Sequence, residues 1–213
     1  MKIIQFSHPH RQKHFEFFSQ MDQPHLNICA QVEIGTLLDY IRAKRLRFTP
    51  SIVYLVSRAA NSIPELRQRI RGQQVVEHKA VHPSFTVHTN AEEVFSFCEV
   101  QYVEAYTVFA KAALEKMEEM KNQPSFEDEE GRDDYLFLSA IPWINFTSIQ
   151  HPMHCTPVDS VPRIAWGKFR AADEQTWMPL AVQAHHALVD GIHIGRFFTK
   201  MQEMLDQPAA YLR

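Results

Sequence analysis

The segment that most restricts the fold lies near the C-terminus. Pro179, Leu180, Ala181 and Val182 form an apolar run that leads into Gln183-Ala184-His185-His186-Ala187-Leu188-Val189-Asp190-Gly191. An amphipathic pattern follows, with Ile194, Phe197, Phe198, Met201 and Leu205 at helical spacing. The segment reads as a buried strand, a tight turn and a helix packed back on the strand. Two histidines stand where the strand ends, the place at which an imidazole can meet a substrate. The neutral imidazole is the side chain whose ordinary proton affinity suits base work near neutral pH. Spacing alone leaves three readings of His186 and Asp190 open. They form a catalytic dyad, or Asp190 holds the turn by pairing with a distant cation, or both histidines merely cap a strand.

The rest of the pattern is mixed. Helices are expected over Gly35–Arg45, Ser51–Ile63, Val103–Lys121 and Ile192–Leu205, with Pro50 at the first position of the second and Thr49 as its cap. Strands are expected over Asn27–Glu33, Gln74–Lys79, Ser84–His88, Val94–Cys98, Tyr135–Ile141, Ile144–Ile149, Arg163–Arg170 and Met178–Ala184. Asn122–Asp134 is the most polar stretch and reads as a surface loop. Helices early and strands late predict an α+β fold with a large, largely antiparallel or mixed sheet. With no Gly/Ser or Pro-rich linker and no repeat, one domain over 1–213 is expected.

Composition removes several function classes. The chain of 213 residues is 45% hydrophobic and 22% charged, within the ordinary range for a folded globular protein. A net charge of -3 with only short basic clusters gives no footprint for nucleic acid or an anionic membrane. Cys29, Cys98 and Cys155 are odd in number and widely spaced, which fits a reducing compartment; no apolar run resembles a signal peptide or a membrane span, and a cytoplasmic location is expected. His78 and His82, and His151 and His154, have metal-like spacing without companion carboxylates or thiolates, so no metal is expected. Neither a glycine-rich phosphate loop nor a G-x-S-x-G elbow is present.

His185-His186-Ala187-Leu188-Val189-Asp190-Gly191 closely resembles the active-site signature of the chloramphenicol acetyltransferase family, and a related signature occurs in the catalytic domains of lipoyl acyltransferases. The resemblance extends to His14-Phe15-Glu16-Phe17-Phe18, to Pro83-Ser84-Phe85-Thr86-Val87, to Ser139-Ala140-Ile141-Pro142-Trp143-Ile144-Asn145-Phe146-Thr147-Ser148 and to Met178-Pro179-Leu180, in order along nearly the whole chain. It implies the CoA-dependent acyltransferase fold, a two-layer α/β sandwich in which a large mixed β-sheet is flanked by helices. It also implies a homotrimer with active sites at subunit interfaces, acetyl-CoA as co-substrate and a small hydroxyl acceptor, chloramphenicol first. It implies His186 as general base and Ser139 as donor to the oxyanion. Asp190, salt-bridged to Arg11, and His185 would structure the site. The cysteines are then structural.

By the same resemblance Arg47 and Lys168 would contact the 3′-phosphate of CoA. Phe17, Phe18, Leu26, Phe95 and Phe126 would line the acceptor pocket. Two departures stand out: Phe18 replaces a tyrosine and Ala165 a threonine of well-known relatives. They motivate an alternative acceptor, hydroxyl or thiol, for the same fold. A non-catalytic trimeric scaffold or binding protein is a further alternative.

Overall fold

The computed structural model describes residues 1–213 except Glu92, Asp128, Glu130 and Cys155. The expected structural role of Cys155 and part of the acidic loop therefore lie outside the described residues. The chain runs β1 (Lys2–Ile4), α1 (Pro9–Ser19), β2 (His25–Glu33), α2 (Gly35–Lys44), α3 (Phe48–Asn61), a 3-10 turn (Pro64–Arg67), β3 (Gln68–Arg71), β4 (Gln74–Glu77), β5 (His82–His88) and β6 (Phe95–Glu99). It continues with α4 (Tyr106–Asn122), β7 (Tyr135–Ile141), β8 (Arg163–Gly167), β9 (Arg170–Ala172), β10 (Gln175–His185), α5 (Gly191–Asp206) and α6 (Pro208–Tyr211).

Seven strands form the main sheet in the order β2-β10-β8-β7-β5-β6, with β9 also on β10. β5–β7 and β7–β8 are parallel and the other pairs antiparallel, so the sheet is mixed as expected. β1, β4 and β3 make a separate small sheet. Because side chains alternate across a strand, each strand feeds two environments. Leu180, Val182, Ile164, Trp166, Leu138 and Phe85 enter the large core beneath the helices, where α3 contributes Ile52, Val53, Leu55 and Val56 and α5 contributes Ile194, Phe197 and Met201. Ala165 and Ala181 point the other way and pack under Phe146 with Cys29, Ile141 and Ile149.

Four expectations need correction. α1 was not among the predicted helices; its apolar residues are few, and Pro9 at the start and a cap from His8 to the His10 amide set its beginning. α3 starts at Phe48, two residues ahead of Pro50, with Arg47 as its N-cap and no capping bond from Thr49. Ile144–Ile149 is not a strand but a strap across the outer face of the sheet, held by the Lys168 amide donating to the Ile144 carbonyl at 2.8 Å and by Asn27 Nδ2 bonding the Ile149 carbonyl. Its close approach explains Gly167: a Cβ there would lie 2.6 Å from the Ile144 oxygen and 2.8 Å from Pro179 Cγ. Arg163–Arg170 is two short strands rather than one, β8 and β9.

A buried cation holds the polar 132–135 segment. Arg69 is fully buried and donates to the carbonyls of Leu66, Gln68, Asp133 and Tyr135. Burial pulls its proton affinity down to about 10, which still leaves it charged at neutral pH. Carbonyl dipoles thus replace water around a guanidinium whose five N–H groups must all be satisfied. Sequence periodicity treats arginine as a surface residue and gives no signal for this one.

Candidate active site

β10 delivers His185 and His186 at its C-terminal end, and Ala187–Asp190 turn the chain into α5. Asp190 caps that helix: its Oδ1 accepts from the Gly191 amide at 2.6 Å, and its own amide donates to His193 Nδ1 at 2.9 Å. The turn is further closed by Leu188 and Val189 amides on the His185 carbonyl, each at 3.0 Å.

Within this frame the two histidines have opposite environments. His185 is 2% exposed, and its Nδ1 accepts from the Ala187 amide at 3.2 Å. Burial, with the neighbouring His25 and His186 rings, lowers its proton affinity to about 4. It is a neutral structural residue. Its folded pKa is below the unfolded value of about 6.5, so the unfolded chain binds the extra proton between those two limits and stability rises with pH across that window. Denaturant melts should therefore lose up to about 3 kcal/mol between pH 6.5 and pH 4 on account of this group. The His185→Gln variant should show a flatter pH dependence; an unchanged slope would contradict a buried neutral His185.

His186 is half-buried at the surface of the turn. Its amide donates to Pro24 O at 2.7 Å, and its ring Nδ1 lies 3.1 Å from the Val189 carbonyl. A carbonyl can only accept, so Nδ1 carries the hydrogen and Nε2 presents a lone pair. Phe18 stacks on the imidazole at 3.9 Å between centroids and 23° between planes, which sets the ring's tilt. Both of a general base's requirements, a free nitrogen and a fixed orientation, are met by groups of this chain.

Arg11 reaches the same turn, but not as an Asp190 salt bridge. Its Nη2 donates to the Ala187 carbonyl at 2.8 Å and the Leu188 carbonyl at 3.1 Å, with the guanidinium 4.5 Å above the Phe6 ring. Asp190 acts on Arg11 only through space, together with Glu65, while its Oδ2 faces His14 Nε2 at 3.7 Å. Two uncapped carbonyls of a tight turn are strong acceptors, and donating to both fixes the turn more directly than one exposed ion pair would. The Arg11–Asp190 ion-pair expectation is corrected on this point, while both residues remain in the architecture of the turn.

The remaining expected site residues fall into separate groups. Ser139 on β7 lies in register with Ala165, which pairs with Ala181, which pairs with Cys29, so its hydroxyl belongs to the outer face of the sheet. His186 is five residues beyond Ala181 along β10 and two strands over, a separation of roughly 15–20 Å within one chain. Phe17, Phe18 and Leu26 lie at the β2 edge near His186, with Phe17 59% exposed and Leu26 packed against the main core. Phe95 and Phe126 lie at the β6 edge, five strand spacings or roughly 24 Å away. There they form an aromatic trio with Phe97, the centroids 5.2–5.9 Å apart, and remain 43% and 56% exposed. Ala165 is fully buried beneath Phe146, so its small side chain makes room for that ring.

Arg47 and Lys168 are both exposed, and each precedes one residue of an aromatic contact: the rings of Phe48 and Phe169 are 6.0 Å apart. Neither has an ion-pair partner among the described residues. An exposed pair of this kind suits a phosphate dianion. Cys98 is buried, which raises its thiol to about 12, and burial also raises Cys29. His78 and His82 face Asp133 and Asp134, and no group of three metal-ligating side chains occurs among the described residues.

The chain matches the chloramphenicol acetyltransferase family model over residues 1–202. It belongs to that family. Chloramphenicol acetyltransferase 3 of Escherichia coli is 30% identical over 195 residues, covering 91% of this chain and 92% of that one. A solved chloramphenicol acetyltransferase superposes with a TM-score of 0.85 at 26% identity, covering 96% and 99% of the two chains. The dihydrolipoamide acetyltransferase of Azotobacter vinelandii shares the fold with a TM-score of 0.67 at 16% identity over all of this chain and 95% of that one. The chain is therefore an acetyltransferase with the α+β CoA-acyltransferase fold. Its helices include none long and apolar enough to cross a membrane, among the described residues.

Two contributors to the turn escaped sequence reasoning. His193 had a legible signal, three residues after a capping aspartate where a side chain can reach back to the cap amide. Glu65, 3.6 Å from His193 Nε2, had none, because its partner is 128 positions away.

Proposed function

We propose that this acetyltransferase moves the acetyl group of acetyl-CoA to a hydroxyl of chloramphenicol, by direct transfer in a ternary complex, and so confers resistance to that antibiotic. The observation that carries the reading is the Nε2 lone pair of the half-buried His186, oriented by the Val189 carbonyl and the Phe18 ring. His186 Nε2 takes the acceptor's hydroxyl proton as the oxygen attacks the thioester carbonyl. The Ser139 hydroxyl donates to the tetrahedral oxyanion. Collapse of that intermediate expels the CoA thiolate, which recovers the proton from His186. Arg47 and Lys168 hold the 3′-phosphate. No acyl-enzyme is needed, and no cysteine takes part.

The assembly is a homotrimer. Within one chain the base lies far from the oxyanion donor, and the aromatic wall is divided between the two edges of the sheet. A neighbouring copy that sets its Ser139, Phe95 and Phe126 against His186, Phe17, Phe18 and Leu26 completes both. Each chain acts as one domain over 1–213 in the cytoplasm.

A second reading, the same chemistry on another hydroxyl or thiol acceptor, draws on Phe18. A phenyl ring fills the tyrosine's place against His186 without a hydroxyl to bond the acceptor. A scaffold without catalysis is the third reading, and the oriented His186 lone pair weighs against it. Release of CoA thiol, followed with a chromogenic disulfide reagent, separates them. Chloramphenicol-dependent release supports the first reading, release only with other acceptors the second, and none across a broad acceptor panel the scaffold.

A further inference from the structure

His14 lies on α1 three residues after Arg11 and four before Phe18, so the three side chains share one helix face turned toward the catalytic turn. Arg11 Nη1 is 3.1 Å from His14 Nδ1. A guanidinium only donates, so Nδ1 accepts and the ring hydrogen of neutral His14 sits on Nε2. That nitrogen is the one 3.7 Å from Asp190 Oδ2. The His14 ring also stands edge-on to His186 with centroids 5.6 Å apart and packs tilted against Phe18 at 4.7 Å.

The ionisable groups around it are Arg11 and His10 on its own helix and Asp190 and His186 on the turn, with Glu65 and His193 behind Arg11 and Asp190. Burial lowers the proton affinity of His14, Arg11 lowers it further, and Asp190 only partly offsets them. The neutral ring therefore prevails at pH 7. Protonation would place a second N–H against Arg11 and a positive charge beside the base.

We propose that His14 is a positioning residue for the base: in its neutral Nε2–H form it links the orientation set by Arg11 to Asp190 and braces the His186 ring against Phe18. The proposal rests on the reading of His186 as the base. His14 touches no reacting atom; it acts through the tautomer and tilt of His186.

The test is nitrogen NMR on the full-length protein with ¹⁵N-labelled histidine and no substrate present, which reads the tautomer of each ring directly. In the wild type, His14 should be Nε2–H at pH 7 and titrate below about 6.5, and His186 should be Nδ1–H. His14→Gln retains an acceptor for Arg11 and a donor for Asp190 and should preserve the His186 tautomer. His14→Phe retains only ring shape and should give averaged His186 nitrogen shifts. Its kcat should fall between about 10- and 100-fold, with KM for acetyl-CoA unchanged. A merely structural residue would lower melting temperature without moving the His186 tautomer. A wild-type His14 that titrates above 6.5, or a His186 tautomer identical in all three proteins, would overturn the proposal. Absence of turnover in the wild type would instead count against the acetyl-transfer reading, and the NMR result would stand apart from it.

Discussion

His186→Ala should lower kcat for acetyl transfer by about 10²–10⁴-fold, the usual worth of a positioned general base. Acetyl-CoA affinity should stay within about twofold of the wild type, because the substitution leaves Arg47 and Lys168, the cations proposed to hold the CoA phosphate, unchanged. Steady-state kinetics give the first number and calorimetric titration the second. The variant loses the 3.9 Å stack on Phe18 as well as the base. His186→Gln separates the two, since it fills similar space and has no basic nitrogen. Equal losses in both variants identify proton transfer as the lost contribution. Substantial turnover in either would remove His186 from the role of base.

Mixing two inactive variants should restore activity. Ser139→Ala removes the oxyanion donor and should cost about 10²–10³-fold on its own. His186→Ala removes the base. If one chain held a complete site, a mixture of the two would stay as inactive as either parent. With the two side chains separated by roughly 15–20 Å along and across the sheet, the proposed trimer predicts that each site draws the base from one chain and the donor from its neighbour. Random trimers from equal amounts, unfolded and refolded together, carry an intact pair at about one site in four, giving about a quarter of wild-type activity. Activity of the co-refolded mixture at the level of the parents would show that base and donor act within one chain. Native mass spectrometry, which resolves the small mass difference between the two variant chains, would check that mixed trimers had formed.

Each element that the sequence made legible carried a periodic apolar pattern. Tyr135–Ile141 and α5 were read nearly to the residue, because strand alternation and the helical stripe Ile194, Phe197, Met201 and Leu205 are local signals. The strap after β7 has a strand's pattern without being a strand. Its apolar residues Ile144, Phe146 and Ile149 look like a strand's, yet Phe146 and Ile149 cover the outer face of the sheet, Ile144 is exposed, and the segment pairs with no neighbour as a ladder. α1 shows the converse. Its mixture of His, Arg, Lys and Phe has little apolar periodicity, because only Phe15 is buried in the core, with Phe18 packed against it, while most of its other residues are exposed.

For the site, the sequence by itself determined the kinds of groups present: a paired histidine at a strand end, an aspartate four residues on, a serine on a distant strand and aromatic residues in scattered positions. These are local chemical facts, and the family resemblance spans nearly the whole chain. Only the tertiary structure decided how they are used. It turned Arg11 onto two backbone carbonyls instead of Asp190, put His185 in the core and His186 at the surface, and buried Ala165 under Phe146. It also separated His186 from Ser139 by two strands, the observation on which the proposal of a site shared between two chains rests. The physical reason is that a proton's position and a salt bridge's partner depend on which acceptors lie within about 3 Å, and that proximity arises between residues far apart in the chain. Arg11 meets Ala187 across 176 positions, a distance no local pattern can encode.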